Sequence, residues 1–178
     1  GSEMCIRDSL YFMSEFVVSA LKYRPKKFSD VVGQEAVTKT LENAIATNKI
    51  PNAMIFCGPR GVGKTTCARI FANEINKHQN NDLAFNIFEL DAASNNSVSD
   101  IRNLIDQVRI PPQTGKFKVF IIDEVHMLSQ TAFNAFLKTL EEPPKHVVFI
   151  LATTEKEKII PTILSRCQIF DFKRIKPI

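Results

Sequence analysis

Residues 53–75 read "AMIFCGPRGVGKTTCARIFANEI", and the order of three textures within them decides the fold. Ala53 to Cys57 form a short apolar run, as a strand buried on both faces requires. A glycine-rich loop, "GPRGVGKT" (Gly58–Thr65), follows without a spacer, and apolar residues then recur at helical spacing through Cys67, Ile70, Phe71 and Ile75. The loop fits the pattern G-x-x-x-x-G-K-[ST], which chance would produce in roughly one sequence in a hundred of this length. A strand before it and a helix after it supply the context in which the pattern binds phosphate. Glycines let backbone N–H groups curl around phosphate oxygens, and the helix N-terminus adds positive potential. A nucleotide site is therefore expected on Gly58, Pro59, Arg60, Gly61, Val62, Gly63, Lys64, Thr65 and Thr66. Lys64 would reach the β and γ phosphates, and Thr65 would ligate magnesium.

Outward from the loop, the chain alternates. Upstream, Val37, Leu41, Ala44 and Ile45 mark a helix that "NKIPN" stops. Downstream, "FNIFEL" reads as a second strand, and the turn formers of "DAASNNS" lead to a helix with Val98, Ile101, Leu104, Ile105 and Val108 on one face. "PPQTG" ends that helix, and "FKVFII" gives a third strand. Ser129 can cap a helix with a stripe of Ala132, Phe133, Phe136, Leu137 and Leu140, stopped by "EEPP". "VVFILAT" is a fourth strand, Pro161 starts a short helix in "KIIPTILS", and "CQIFDF" is a fifth strand. Strands alternating with helices predict a three-layer α/β fold on a five-stranded, mostly parallel sheet, with ligands at the carboxyl ends of the strands.

The third strand ends in Asp123 and Glu124, where carboxylates are costly unless they serve a metal or a base. Asp123 is assigned to the magnesium shell and Glu124 to the general base that polarises an attacking water. Thr153 and Thr154, at the polar end of the fourth strand, are expected beside Asp123 if the two strands are neighbours. Thr154 then has two readings: a hydrogen-bond donor to the γ-phosphate or water, and an ordinary turn former. Arg166, in "TILSRCQIF" (residues 162–170), also has two: a phosphate ligand, and a cation closing the C-terminal end of the short helix.

The 178 residues, 44% hydrophobic and 24% charged, suit one globular domain. No run approaches the length of a membrane span, and no secretory signal opens the chain, so a cytoplasmic location is expected. Cys5, Cys57, Cys67 and Cys167 lack paired spacing and indicate neither zinc nor disulfides. A net charge of +4 tolerates a polyanion without specifying one. Residues 1–13 fit no periodic pattern and read as a non-native leader without order, opening on the scar-like Gly1 and Ser2; residues 14–173 are expected to form the folded core.

From about Leu21 to Phe172, the segments "YRPKKFSDVVGQ", "GPRGVGKT", "ELDAASNNSV", "FIIDEVHMLS", "FNAFLKTLEEPP", "ILATTE" and "ILSRC" resemble, in order, the bacterial clamp-loader ATPases of the DNA polymerase III gamma/tau family. "LEEPP" and "SRC" separate clamp loaders from most other AAA+ proteins. The resemblance implies an AAA+ P-loop module that uses ATP and Mg2+ and works in a ring-like pentamer with other gamma/tau copies, delta and delta-prime. That assembly would open the sliding clamp and close it on primed DNA. The resemblance also implies an arginine finger at Arg166 acting on a neighbouring subunit's γ-phosphate, a sensor at Thr154, and an adenine pocket lined by Arg24, Pro25, Val32 and Gly33. DNA backbone contacts would come from Asn95, Asn96, Ser97 and Arg102, set against the alternative of an ordinary polar helix start. Two departures stand out. The cysteine-rich zinc module that many members carry is replaced by "NKHQNNDLAFN", with no cysteine and a lone His78, so no zinc is expected. Residues 174–178 fall where the lid domain begins, and the lid is expected to be truncated. Competing readings are another AAA+ DNA-remodelling ATPase, and a non-hydrolysing scaffold subunit, against which the intact Lys64, Thr65, Asp123 and Glu124 weigh.

Overall fold

Five strands pair side by side, all parallel, in the computed structural model of the chain, which describes residues 25–76, 86–113 and 116–175. They are β1 (Ala53–Cys57), β2 (Ile87–Asp91), β3 (Lys118–Asp123), β4 (Val147–Thr153) and β5 (Gln168–Asp171), in the spatial order β2-β3-β4-β1-β5. Helix α1 (Glu35–Ala46) precedes the strands, and between them lie α2 (Lys64–Ile75), α3 (Val98–Val108), α4 (Gln130–Glu141) and the single turn α5 (Pro161–Leu164). The α/β fold expected from strand–helix alternation is the one observed.

Period two on the strands sorts side chains into two cores. Ile55, Phe120, Ile122, Phe149 and Leu151 face α3 and α4, packing on Ile101, Leu104, Phe133 and Phe136. Met54, Phe56, Val119, Ile121, Val148 and Ile150 face α1 and α2, packing on Leu41, Cys67 and Phe71. All seven residues of β4 are buried, because it lies between two paired neighbours under helices on both faces. Phe136 meets Phe149 edge-on with ring centroids 5.2 Å apart, a favoured aromatic geometry that ties α4 to the sheet. Cys57 and Cys67 are core packing residues, and burial pushes each thiol up to about 11.

Differences from the sequence reading sit at element ends. β2 starts at Ile87 and runs to Asp91, one residue past the expected end, because Asp91 is carried in register by Asp123 of β3. Single 3-10 turns at Phe28–Asp30, Val125–Met127 and Lys156–Lys158 went unanticipated, since three residues carry no periodicity. Ser129 caps α4 as expected, its hydroxyl accepting from the Ala132 amide at 3.2 Å. Residues 1–13, Arg24, His78, Phe85 and 176–178 lie outside the described residues. Among those described, no helix is long and apolar enough to cross a membrane.

Candidate nucleotide-binding site

Between β1 and α2 the chain must turn tightly, and glycines carry the turn: φ is +77° at Gly61 and +97° at Gly63, conformations that side chains disfavour. Gly58 has a second constraint. Its amide donates to the Thr153 carbonyl (3.2 Å), and a Cβ placed on it would lie 2.8 Å from the carbonyl oxygen of Phe172 and 2.9 Å from that residue's Cβ. Because a backbone atom is in the way, Gly58→Ala should cost about 1–3 kcal/mol. The expected readout is a lower melting temperature together with weaker nucleotide binding; unchanged values for both would show that Phe172 can yield.

Lys64, the first residue of α2, is buried, and its ammonium donates back into the loop, to the carbonyl of Gly58 and, at 2.8 Å, to that of Pro59. Burial lowers its pKa, opposed by the negative charges of Glu124 and Asp123. The Thr65 hydroxyl donates to an Asp123 carboxylate oxygen at 3.1 Å, so the two residues assigned to magnesium meet. A hydroxyl and a carboxylate are hard oxygen donors of the kind magnesium takes, and the pair fits that ion. Gly63 occupies the cap position of α2 without a side chain, leaving the helix start to backbone amides.

Glu124 follows with φ +52° and ψ +46°, a left-handed conformation that a glutamate adopts at a cost. Its amide bonds the side chain of Asp123 at 3.0 Å, and its carboxylate accepts from the Thr154 hydroxyl at 3.3 Å. The two threonines expected together beside Asp123 therefore part company. Thr154 reaches Glu124, whereas Thr153, fully buried and paired with Cys57 of β1, turns inward to His126. Alternation along the strand is the physical reason.

An open cavity of about 470 Å3 lies over these groups, lined by Arg60, Gly61, Gly63, Lys64, Thr65 and Thr66 from the loop and by Asp123 and Glu124 from the end of β3. Arg69, Asp91 and Ala93 complete its wall and were missed by the sequence reading. Arg69 is held by Glu89 of the adjacent strand, with Nη2 at 2.8 Å from Oε2, and that hydrogen bond raises its pKa. Asp91 ends β2 in register with Asp123, so the rule that ligands sit at carboxyl ends could have singled it out. Val62 is buried beneath the loop rather than lining the cavity.

On the side expected to receive adenine, Val32 is 70% exposed, and Gly33 (φ +82°) approaches Ile175, whose Cγ1 would lie 3.4 Å from an added Cβ. Pro25 is half-buried. The residue that organises this side is Gln34, to which the sequence reading gave no role. Its buried amide donates to the carbonyls of Lys173 (2.6 Å) and Val62 (3.4 Å) and accepts from the Lys173 amide (3.0 Å), joining three distant segments. No sequence pattern links residue 34 to residue 173.

Arg166 is elsewhere. It precedes β5, whose first residue, Gln168, pairs with Met54, whereas the phosphate loop follows the other end of β1. At about 3.3 Å per residue, roughly 13 Å of sheet separates the Gln168 level from Gly58. The guanidinium is half-exposed and 3.7 Å from the Glu141 carboxylate. Asn95, Asn96, Ser97 and Arg102 are exposed at the start of α3. There Ser97 and Asp100 form a reciprocal capping box that takes up both their backbone amides.

Known proteins agree with this geometry. A family model described as DNA polymerase III, delta subunit, matches residues 33–176. The chain is 53% identical over 169 residues to DNA polymerase III subunit tau of Bacillus subtilis, covering 86% of this chain and 30% of that protein. It is 46% identical over 176 residues to subunit tau of Escherichia coli, covering 90% and 27%. The chain thus spans under a third of the length of these two relatives. Among solved structures, a DNA polymerase III gamma subunit-related protein of Thermotoga maritima superposes with a TM-score of 0.65 at 26% identity, over 76% of this chain and 46% of that one. The RuvB Holliday junction branch migration motor of the same organism gives 0.65 at 25% identity, over 84% and 48%. Fold similarity alone does not separate the two structures, whereas sequence similarity favours the polymerase subunits. With a parallel P-loop sheet, loop and acidic strand end meeting at one cavity, and a family match over most of its length, the chain belongs to the DNA polymerase III, delta subunit family of AAA+ P-loop proteins, and within it resembles the tau and gamma subunits.

Proposed function

We propose that this domain binds ATP with Mg2+ and hydrolyses it as a motor of the bacterial clamp loader. The observation that carries the reading is the convergence of Lys64, Thr65, Asp123 and a conformationally strained Glu124 on one cavity. Loop amides and Lys64 would hold the phosphates, and Thr65 with Asp123 would hold magnesium. Bound there, the ion would draw charge from the phosphate oxygens. Glu124 is the general base that takes a proton from the attacking water, and Thr154 steadies its carboxylate. Pro25, Val32 and Gly33, with Arg24, form the adenine side.

Arg166, too far from its own loop, serves as a finger for a neighbour's γ-phosphate, which couples hydrolysis to assembly. Partners of this motor are further gamma/tau copies, delta and delta-prime, the sliding clamp and primed DNA, whose backbone would meet the start of α3 through Asn95, Asn96, Ser97 and Arg102. Residues 14–173 form its ATPase core, working in the cytoplasm with the replication machinery.

The test measures ATP turnover by the full-length subunit assembled with delta and delta-prime. Clamp and primed DNA together should stimulate turnover well beyond either alone. Stimulation by branched DNA without clamp would replace clamp loading with a branch-migration type of motor.

A further inference from the structure

His126 lies two residues beyond the proposed base, in the single turn Val125–Met127, and only 4% of its side chain is exposed. Burying an imidazole among apolar residues is unfavourable unless both ring nitrogens find partners. Here both do. Nδ1 is 2.9 Å from the Thr153 hydroxyl, and Nε2 is 3.4 Å from Glu124 Oε2 and 3.2 Å from Glu155 Oε2. One neighbour suits the Thr153 hydroxyl to the donor's role. The Glu155 amide already donates to Thr153 Oγ1 at 3.0 Å, so the hydroxyl proton is free to point at Nδ1. With Nδ1 accepting, the ring proton sits on Nε2, facing the two carboxylates. Glu155 has a second cation, Lys158, at 2.9 Å.

We infer that His126 is the positioning residue for Glu124. Oriented by Thr153, it sets Nε2 3.4 Å from Glu124 Oε2, the oxygen that also accepts from Thr154. With Thr154 donating to Oε2 and the imidazole lying against it, Oε1 is left as the acceptor for the proton of water. The arrangement also joins the polar end of β4 to the base by two routes, Thr154 directly and Thr153 through the imidazole. His126 does not line the cavity, and its effect passes wholly through Glu124. This inference rests on Glu124 being the general base.

That dependence supplies the test. ATP turnover and nucleotide affinity are measured for the full-length subunit in the assembled loader, with His126→Ala, Glu124→Gln and the double variant compared. His126→Ala should lower kcat by about 10- to 100-fold, as loss of a residue that orients a reacting group does, while affinity for a fluorescent ATP analogue stays unchanged. His126→Gln, whose amide nitrogen can occupy the Nε2 position, should recover much of the rate. In the Glu124→Gln background, His126→Ala should cost nothing more. An equal loss in both backgrounds, or wild-type turnover by His126→Ala, would overturn the inference. Should His126→Ala fail to fold, Thr153→Val, which removes the hydroxyl that sets the tautomer, should lower kcat and lose its effect in the Glu124→Gln background; a full additional loss there counts against the proposal. Wild-type turnover by Glu124→Gln would instead overturn the general-base reading itself and this inference with it.

Discussion

Glu124→Gln is expected to bind ATP as the wild type does and to hydrolyse it about 10²- to 10⁴-fold more slowly, the range that a positioned general base contributes. The substitution keeps shape and removes basicity. The groups proposed to hold phosphate and magnesium are untouched, since Lys64, Thr65 and Asp123 make no hydrogen bond to the Glu124 side chain. The Thr154 hydroxyl can still donate to the amide oxygen. The left-handed backbone at residue 124 tolerates glutamine no worse than glutamate, so the melting temperature should not move. Measuring equilibrium nucleotide binding beside single-turnover hydrolysis separates the two effects. Slow hydrolysis with intact binding supports catalysis by Glu124, whereas equal turnover would remove the base from this site and leave a nucleotide-binding scaffold.

The second large effect is at Arg166. In the assembled full-length complex, Arg166→Ala should reduce turnover by about 10³-fold or more, the scale on which a guanidinium supplied from a neighbour acts. Lys64→Ala should abolish turnover at its own site by weakening phosphate binding. Mixing the two inactive variants should restore part of the activity, because a subunit with an intact loop can then sit beside one with an intact arginine. The within-chain geometry motivates this: Arg166 stands at the amino ends of the strands, beside Glu141 and Pro143, while the loop stands at the carboxyl ends. Full activity of Arg166→Ala alone, with no recovery on mixing, would make Arg166 a helix-end cation paired with Glu141 and nothing more.

Legibility differed by element for physical reasons. β1, α2 and β4 were readable almost to the residue, since a strand buried on both faces is a continuous apolar run and a loop bounded by glycine marks both of its neighbours. β2 was misplaced at its ends because it is an edge strand, only partly buried, and pairing with β3 sets its limits. The phosphate loop, Asp123 and Glu124 were legible because each carries a local signal: glycines at fixed offsets, and carboxylates closing an apolar strand. Gln34, Arg69 and His126 were not, since their importance lies in partners 20 to 139 residues away. Thr153 and Thr154 show the boundary most sharply. They are identical neighbours in the chain, yet one faces the buried imidazole and the other the Glu124 carboxylate.

The sequence by itself determined the layered α/β class, the strand and helix order and the phosphate-binding loop, because hydrophobic periodicity and glycine placement are local properties of the chain. Only the tertiary structure decided which threonine meets Glu124, that His126 stands between two carboxylates, and that Arg166 lies at the far end of the sheet from its own loop. Those outcomes follow from strand order and register, which arise when residues far apart in sequence compete to bury the same faces.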